Sequence, residues 1–438
     1  MRAQFSKLAV LWILVALTLV LLAATDAQSG TASAPKPPLS GVNLTDFAIG
    51  TSTAKINQEI ARAQSLHAHV IRVEFPWSAF EPNQQGQVDP SALTYSDYLV
   101  NRASAAGIKV LVLTLSTPCW ASSAPPSLLA VCTPNTGSRA NTWPPSEPRA
   151  FGSFVAFIAA RYGSKLAAIE IWNEPDQANE DYLAGPNKAQ HYAAILRAAY
   201  PAIKRADPAM TVLGGSLVGS NGTFLRALYA AGIKGYYDGL AVHFYNLTLA
   251  SLRYTHEVQF ANGDSKPLWL TEFGWSSCWP RQRIQEEQAC VTPQVQAANM
   301  SNIYRSLARI PWVAAQIVYE LQGSTREDFG VFAESGARKP SFAALRNVFI
   351  SAFAKPSPVT VSLNRHGGRL VADGSGPVGD YMRLEAFRGR HAVYRTLFTL
   401  NSFNRYSVAL PSQLGTRNLA VRVFQYWMGP ATAAAAHI

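Results

Sequence analysis

The sequence predicts a (β/α)8 barrel followed by a small antiparallel β domain, and three observations carry that expectation. From Gly41 onward, a short apolar strand, a loop and an amphipathic helix recur eight times over roughly 310 residues. From about Lys355 the hydrophobic period changes from that of a helix to that of a strand and stays there. Finally, two of the barrel strands end their apolar run in a glutamate, in Leu166–Asp176 (LAAIEIWNEPD) and Pro267–Trp275 (PLWLTEFGW).

The chain opens with Arg2 and Lys7, then the apolar run Leu8–Ala24, then small residues through Ala27. This is the charged, apolar and small-residue order of a secretory signal. The run is also just long enough for an uncleaved membrane anchor, and both readings stay open for residues 1–27. Either way the remainder is expected to be exported, to the periplasm or beyond. Residues 28–40 are rich in Ser, Ala and Pro, with one Lys, and read as a linker.

Residues 41–355 are assigned to the barrel. Its strands are expected near 41–44, 69–75, 109–115, 166–172, 211–217, 239–245, 267–273 and 313–320. Helices follow near 53–66, 91–106, 147–163, 187–205, 222–231, 249–261, 293–309 and 340–352. Ala105-Ala106-Gly107 and Ala230-Ala231-Gly232 end two of them on the residue that tolerates a left-handed cap. A doubly wound open sheet is the rival. It would want a glycine-rich phosphate loop after its first strand, where Asn43-Leu44-Thr45-Asp46 stands instead. Residues 356–438 alternate with period two over 358–363, 369–372, 381–387, 392–399, 405–410 and 418–425, which predicts a small β-sandwich; the alanine-rich end is expected to fray.

With 48% hydrophobic and 15% charged residues, the chain has the makings of a large core, and disorder is excluded. The formal charge of +11 is concentrated towards the C-terminus, where residues 356–438 hold nine Arg and three Asp or Glu. Attraction to an acidic polysaccharide or to anionic headgroups, and a plain solvated surface, account for it equally well. No basic run with interleaved aromatics is present, which argues against nucleic acid. The four cysteines lie in two polar, proline-containing loops, Cys119 with Cys132 and Cys278 with Cys290. Of the three pairings possible, the two local ones brace both loops and suit an exported chain. Zinc is the rival reading, but there is no Cys-x-x-Cys spacing and no histidine beside either pair. No metal or organic cofactor is implied, and a monomer is expected.

In a barrel of this kind the C-terminal ends of the strands face the catalytic mouth. Those ends carry Arg72, then Asn173 and Glu174, then His243 and Tyr245, then Glu272, and finally Tyr319 and Glu320. Two carboxyls held at different pKa values are what glycosidic cleavage needs: one protonated to donate to the leaving oxygen, one ionised to attack the anomeric carbon. Tyr245 and Arg72 suit the ionised partner. Arg72 could instead pair with Glu74, which shares its strand parity, and either glutamate alone could be a satisfied structural acid. Strict alternation is a difficulty, because it sends Asn173 and Glu174 to opposite sides of the strand. Of the tryptophans at strand ends and in the loops (Trp77, Trp120, Trp143, Trp172, Trp275 and Trp279), Trp172 reads as packing. Trp120, Trp275 and Trp279 read as walls or platforms of a cleft, since indole faces stack on sugars.

Trp172-Asn173-Glu174-Pro175 on strand four and Thr271-Glu272-Phe273-Gly274-Trp275 on strand seven resemble the clan A glycoside hydrolases. By its length, exported N-terminus and C-terminal β domain the chain is most similar to glycoside hydrolase family 39, and within it to the PslG-like enzymes of bacterial exopolysaccharide. The resemblance spans about residues 41–355 and implies Glu174 as general acid/base, Glu272 as nucleophile and Asn173 as a contact to the sugar 2-hydroxyl. It further implies Tyr245 and Arg72 as the groups that hold Glu272, and His243 as the sixth-strand histidine of many members. Many relatives place a Trp on strand eight, where this chain has Tyr319 and Glu320. The resemblance implies a retaining enzyme with carboxyls about 5–5.5 Å apart. The long disulfide-bearing loops favour endo action on a polysaccharide or oligosaccharide. A non-catalytic polysaccharide-binding factor and a transglycosylase are the other readings of the same residues.

Overall fold

The computed structural model describes residues 37–438 apart from 135–136, 219–221, 246–248, 282, 286–287, 325–326, 352–356, 378–380, 416, 427–432 and 438. The expected signal or anchor therefore lies outside the described residues. Among those described, no helix is long and apolar enough to cross a membrane.

Eight parallel strands close into a barrel: β1 (Leu39–Asn43), β2 (Val70–Pro76), β3 (Lys109–Leu115), β4 (Leu166–Ile171), β5 (Val212–Leu217), β6 (Gly239–Phe244), β7 (Leu268–Phe273) and β8 (Val313–Val318). The helices that follow them are α1 (Thr53–Ser65), α2 (Pro90–Ala105), α3 (Pro148–Tyr162), α4 (Lys188–Ala206), α5 (Thr223–Ala230), α6 (Leu249–Ala261), α7 (Pro293–Leu307) and α8 (Pro340–Ile350). The barrel elements fall within a few residues of their expected positions, because the starts carry local signals. Ser52, Asp89 and Thr292 cap α1, α2 and α7 through their side-chain oxygens, and a proline opens α2, α3, α7 and α8.

The barrel interior is layered, and the layering places the site. At the bottom, Val70, Leu111, Ala168, Leu213, Ala241, Trp269, Ala315 and Ile317 form a separate apolar plug. Moving two residues along a strand keeps the side chain pointing inward and raises it one tier. Val70 thus leads to Arg72 and then Glu74, Ala168 to Glu170, Ala241 to His243 and then Tyr245, and Ile317 to Tyr319. The plug is apolar and the tier above it is charged.

Beyond the barrel, β9 (Thr360–His366), β10 (Arg369–Ser375) and β13 (Arg405–Ala409) form one antiparallel sheet. A second contains β12 (His391–Thr399), β11 (Tyr381–Arg388), β14 (Leu419–Gln425) and β15 (Ala434–His437), in that order. Met382, Leu384, Ala386, Val421 and Val423 from the second sheet share a core with Leu370, Ala372 and Tyr406 from the first. The alanine-rich end does not fray as expected. Ala434–His437 pairs with Ala420–Val423, because the otherwise open edge of β14 offers backbone partners that outweigh the weak strand preference of alanine. The turn before β13 reaches the barrel: Asn404 Nδ2 donates to Asn299 Oδ1 on α7 at 2.5 Å, and Phe403 packs edge-on against Trp279.

Candidate active site

The charged tier is organised by one guanidinium. Arg72 is almost fully buried and donates in four directions: Nε to Glu170 Oε2 at 2.6 Å, Nη1 to Glu272 Oε1 at 2.7 Å and to Asn43 Oδ1 at 2.8 Å, and Nη2 to Asn173 Oδ1 at 3.0 Å. Burial opposes its charge, but the Glu170 and Glu272 carboxylates more than compensate and raise its pKa further. The alternative pair with Glu74 is not the one formed. Asn43 ties this centre to the strands that close the barrel, its Nδ2 donating to Thr271 O and Val318 O.

Glu272 and Glu174 lie on either side of His243. Glu272 Oε2 accepts from the Tyr245 hydroxyl at 2.7 Å and lies 3.4 Å from His243 Nδ1. The same nitrogen is 2.5 Å from Glu174 Oε1, and Gln177 Nε2 donates to Glu174 Oε2. Burial disfavours ionisation of both acids, with opposite results. For Glu272, the charges of His243 and Arg72 and the Tyr245 hydrogen bond outweigh burial and hold its carboxyl below the usual range. For Glu174, burial wins over His243 and, helped by the negative charges of Glu272 and Asp176, pushes its carboxyl up.

Two local irregularities bring the acids to the cleft. Regular β4 ends at Ile171, and Trp172 and Glu174 adopt positive φ of 68° and 38°. This turns Trp172 outward into the main core, where its Nε1 donates to Tyr182 O, and Asn173 inward to Arg72. Such backbone costs of order 1–3 kcal/mol per residue and persists only where its surroundings fix it. On β7, pairing with β6 passes from Val242↔Leu270 to His243↔Glu272, and pairing with β8 from Gln316↔Leu270 to Val318↔Phe273. Both neighbours count one extra residue on β7, which is a bulge at Thr271, and it places Glu272 on the inner face three residues after Trp269.

The other expected residues are placed as follows. Tyr319 and Phe329 pack edge-on against Tyr245 at 5.8 and 5.7 Å between ring centres. Glu320 is buried and hydrogen-bonded to Thr45, outside the Glu174–Glu272 cluster, and burial lifts its carboxyl to about 7. Trp120 is half-buried against Trp77 and donates to Glu81 O; Trp275 is buried in the main core; Trp279 is 50% exposed. Both local disulfides, Cys119–Cys132 and Cys278–Cys290, are formed.

Four residues of the centre escaped the sequence reading as site residues: Asn43, Glu74, Glu170 and Tyr182. Glu170 accepts from Ser216 Oγ as well as from Arg72, so this buried acid is fully engaged. Glu74 stands one tier above Arg72, accessible to solvent yet enclosed by protein, and desolvation pushes its carboxyl up. Burial, together with the negative charges of Glu174, Glu272 and Glu74, raises the Tyr182 hydroxyl. Inward parity was a signal for Asn43, Glu74 and Glu170; nothing in the sequence marked Tyr182. A ligand atom from each of Glu174, His243 and Glu272 lies within 4.8 Å of the others, the one such cluster among the described residues. A divalent ion there would have to replace the His243–Glu174 hydrogen bond and sit beside the Arg72 cation.

A family model described as cellulase (glycosyl hydrolase family 5) matches residues 30–310, well over half of the chain. The chain belongs to this cellulase family. It is therefore a clan A glycoside hydrolase; Glu174 lies just beyond the end of β4 and Glu272 near the end of β7. The family match gives family 5, where the sequence resemblance had pointed to family 39. Family 39 enzymes are similar to this family 5 hydrolase in fold. One from Bacteroides cellulosilyticus WH2 has 19% identity and a TM-score of 0.55 over 85% of this chain and 81% of its own. One from Xanthomonas axonopodis pv. citri has 15% identity and a TM-score of 0.55 over 87% and 93%. A family 5 enzyme from Streptomyces cattleya, in complex with GlcNAc, has 16% identity and a TM-score of 0.54 over 75% and 84%. A search of curated proteins finds no match.

Proposed function

We propose that this hydrolase is an exported, retaining, endo-acting enzyme that cleaves a bacterial exopolysaccharide, the specificity suggested by its resemblance to the PslG-like enzymes. The observation that carries the retaining mechanism is the pair Glu174 and Glu272. Both contact one histidine, they have carboxylate oxygens within 4.8 Å, and their proton affinities are pushed in opposite directions.

In this reading the Glu272 carboxylate attacks the anomeric carbon while Glu174 gives its proton to the departing glycosidic oxygen. The covalent glycosyl-enzyme then reacts with water, whose proton returns to Glu174, and Glu272 leaves as a carboxylate. Oxygens of the two acids within 4.8 Å of one another support the closer spacing of a retaining enzyme over the wider one that holds a water between the acids. Activity should rise as Glu272 ionises, below the usual carboxylate range, and fall as Glu174 loses its proton above it. The loops closed by Cys119–Cys132 and Cys278–Cys290 follow the third and seventh strands, at the end of the barrel where the two acids lie; we read them as walls, which favours a groove for a chain over a pocket for a chain end.

The test is incubation with a panel of exopolysaccharides, following the newly formed reducing end by NMR and product length by chromatography. Retained anomeric configuration with a spread of intermediate lengths is expected. Initial inversion would overturn the double displacement, and release of monosaccharide alone would overturn the endo mode. Oligosaccharide binding with no product would replace the enzymatic reading by a binding one.

A further inference from the structure

The outer face of the four-stranded C-terminal sheet carries a cluster that hydrolysis does not use. Even-numbered residues of β11 face the domain core, so Tyr381, Arg383, Glu385 and Phe387 face outward. Register sets Arg395 opposite Glu385 on one neighbouring strand and Arg422 opposite it on the other. All three guanidiniums turn to that single carboxylate: Arg422 Nη2 to Oε2 at 2.6 Å, Arg383 Nε to Oε1 at 3.1 Å and Arg395 Nε to Oε1 at 3.5 Å. Glu385 is buried beneath them, whereas the Arg395 side chain is 60% exposed.

One carboxylate cannot satisfy this group. Three guanidiniums bring about fifteen N–H donors to an acceptor with about four lone-pair sites, and two positive charges remain. Aromatic rings hold the same arginines in place: Arg422 lies over Phe387 and Phe424, and Arg383 over Tyr426. Tyr381, Val393 and Leu397 add solvent-exposed apolar surface around them. Residues 356–438 contain nine arginines and no lysine. A merely solvated surface would accept either cation, whereas the planar arginine fork matches carboxylates in pairs of hydrogen bonds.

We propose that this face is a binding surface for a polysaccharide bearing carboxylates, separate from the catalytic cleft. Glu385 acts as the internal brace that preorganises the three arginines. The uronate groups of the polymer pair with the surplus guanidinium donors, and the apolar faces of its sugars lie on Tyr381 and Leu397. The surface does not depend on the roles given to Glu174 and Glu272.

Polygalacturonate serves as the probe, with its methyl ester and anionic phosphatidylglycerol vesicles as controls, each titrated against the full chain. Binding of polygalacturonate that weakens with salt, and at least tenfold weaker binding of the ester, are expected. Arg395→Gln should weaken binding about tenfold. Leu397→Asp leaves all three arginines in place and should weaken it likewise by repelling the carboxylates. Both variants should hydrolyse a soluble aryl glycoside as the native chain does, which separates failure at this surface from failure of the catalytic reading. Equal binding of ester and acid, native affinity in both variants, or binding to vesicles without binding to the polymer would each overturn the proposal.

Discussion

Arg72→Met is the most informative single substitution, because methionine keeps much of the buried volume and removes only the charge and its donors. In the native protein the guanidinium faces two carboxylates, Glu170 at 2.6 Å and Glu272 at 2.7 Å, and neither can turn to water from its place inside the barrel. Removing one partner of a buried ion pair costs about 3–5 kcal/mol. The loss here lies at the upper end of that range at neutral pH, since two acids are left to repel one another. The sign of its pH dependence follows from Glu272. A carboxyl held below its unfolded value contributes stability that is present above that value and disappears as pH falls through the folded one. Without Arg72 that contribution is gone at neutral pH, while in acid strong enough to protonate Glu272 the native protein loses it as well. Thermal unfolding of native and variant proteins from pH 7 to well below the usual carboxylate range, about pH 3, should therefore show a gap that narrows as pH falls. The rising limb of kcat/KM for an aryl glycoside should move to higher pH, because Glu272 would ionise later. A stability loss that is the same at both ends of the range, with an unmoved limb, would refute the idea that Arg72 holds the charge on Glu272.

Three further outcomes are expected. Glu272→Gln should abolish turnover while leaving the fold intact by circular dichroism, whereas Glu174→Gln should retain turnover of substrates whose leaving group needs no proton and lose it for the rest. Glu320, lifted to about 7 by burial, is a group whose raised pKa makes stability fall as pH rises towards that value. Glu320→Gln should thus flatten the decline between about pH 5 and 7, a difference on the order of a few kcal/mol, and a variant with the native pH profile would contradict it. Replacing Cys278 and Cys290 by serine should cost about 2–4 kcal/mol. It should also raise KM for polymers more than for aryl glycosides, as initial-rate measurements on both substrates would show.

The barrel was legible because its signals are local and repeated: a capping Ser52 or Asp89, a proline at a helix start, an apolar run of strand length. The charged tier was half legible. Period two raises Arg72 above Val70 and His243 above Ala241, so their inward direction follows from counting, but which acid each would meet does not. Arg72 was as well placed for Glu74 on its own strand as for Glu170, which is 98 residues distant in sequence. Barrel closure decided between them, since it sets β1, β4 and β7 around the same point, and no local pattern encodes closure.

Counting fails at the two acids themselves. Regular alternation would have sent Glu272, three residues after the inward-facing Trp269, to the outer face, and would have split Asn173 from Glu174. The protein departs from regular pleating on both strands, by a bulge at Thr271 and by positive φ at Trp172 and Glu174. The two departures do the same job. A strand that kept its alternation could offer the cleft only every second residue, one tier apart, whereas an extra residue or a left-handed step lets successive side chains act at one level. On β4 this sets Asn173 against Arg72 and Glu174 against His243, so an amide and an acid from adjacent positions serve one centre. The local cost is met by fixed partners: the Glu174 N–H donates to Ser216 O, the Trp172 N–H to Thr114 O, and Asn43 holds Thr271 O. Where a sequence places an acid out of phase with the inward positions of its own strand, the irregularity needed to bring it in is itself a sign that the acid works.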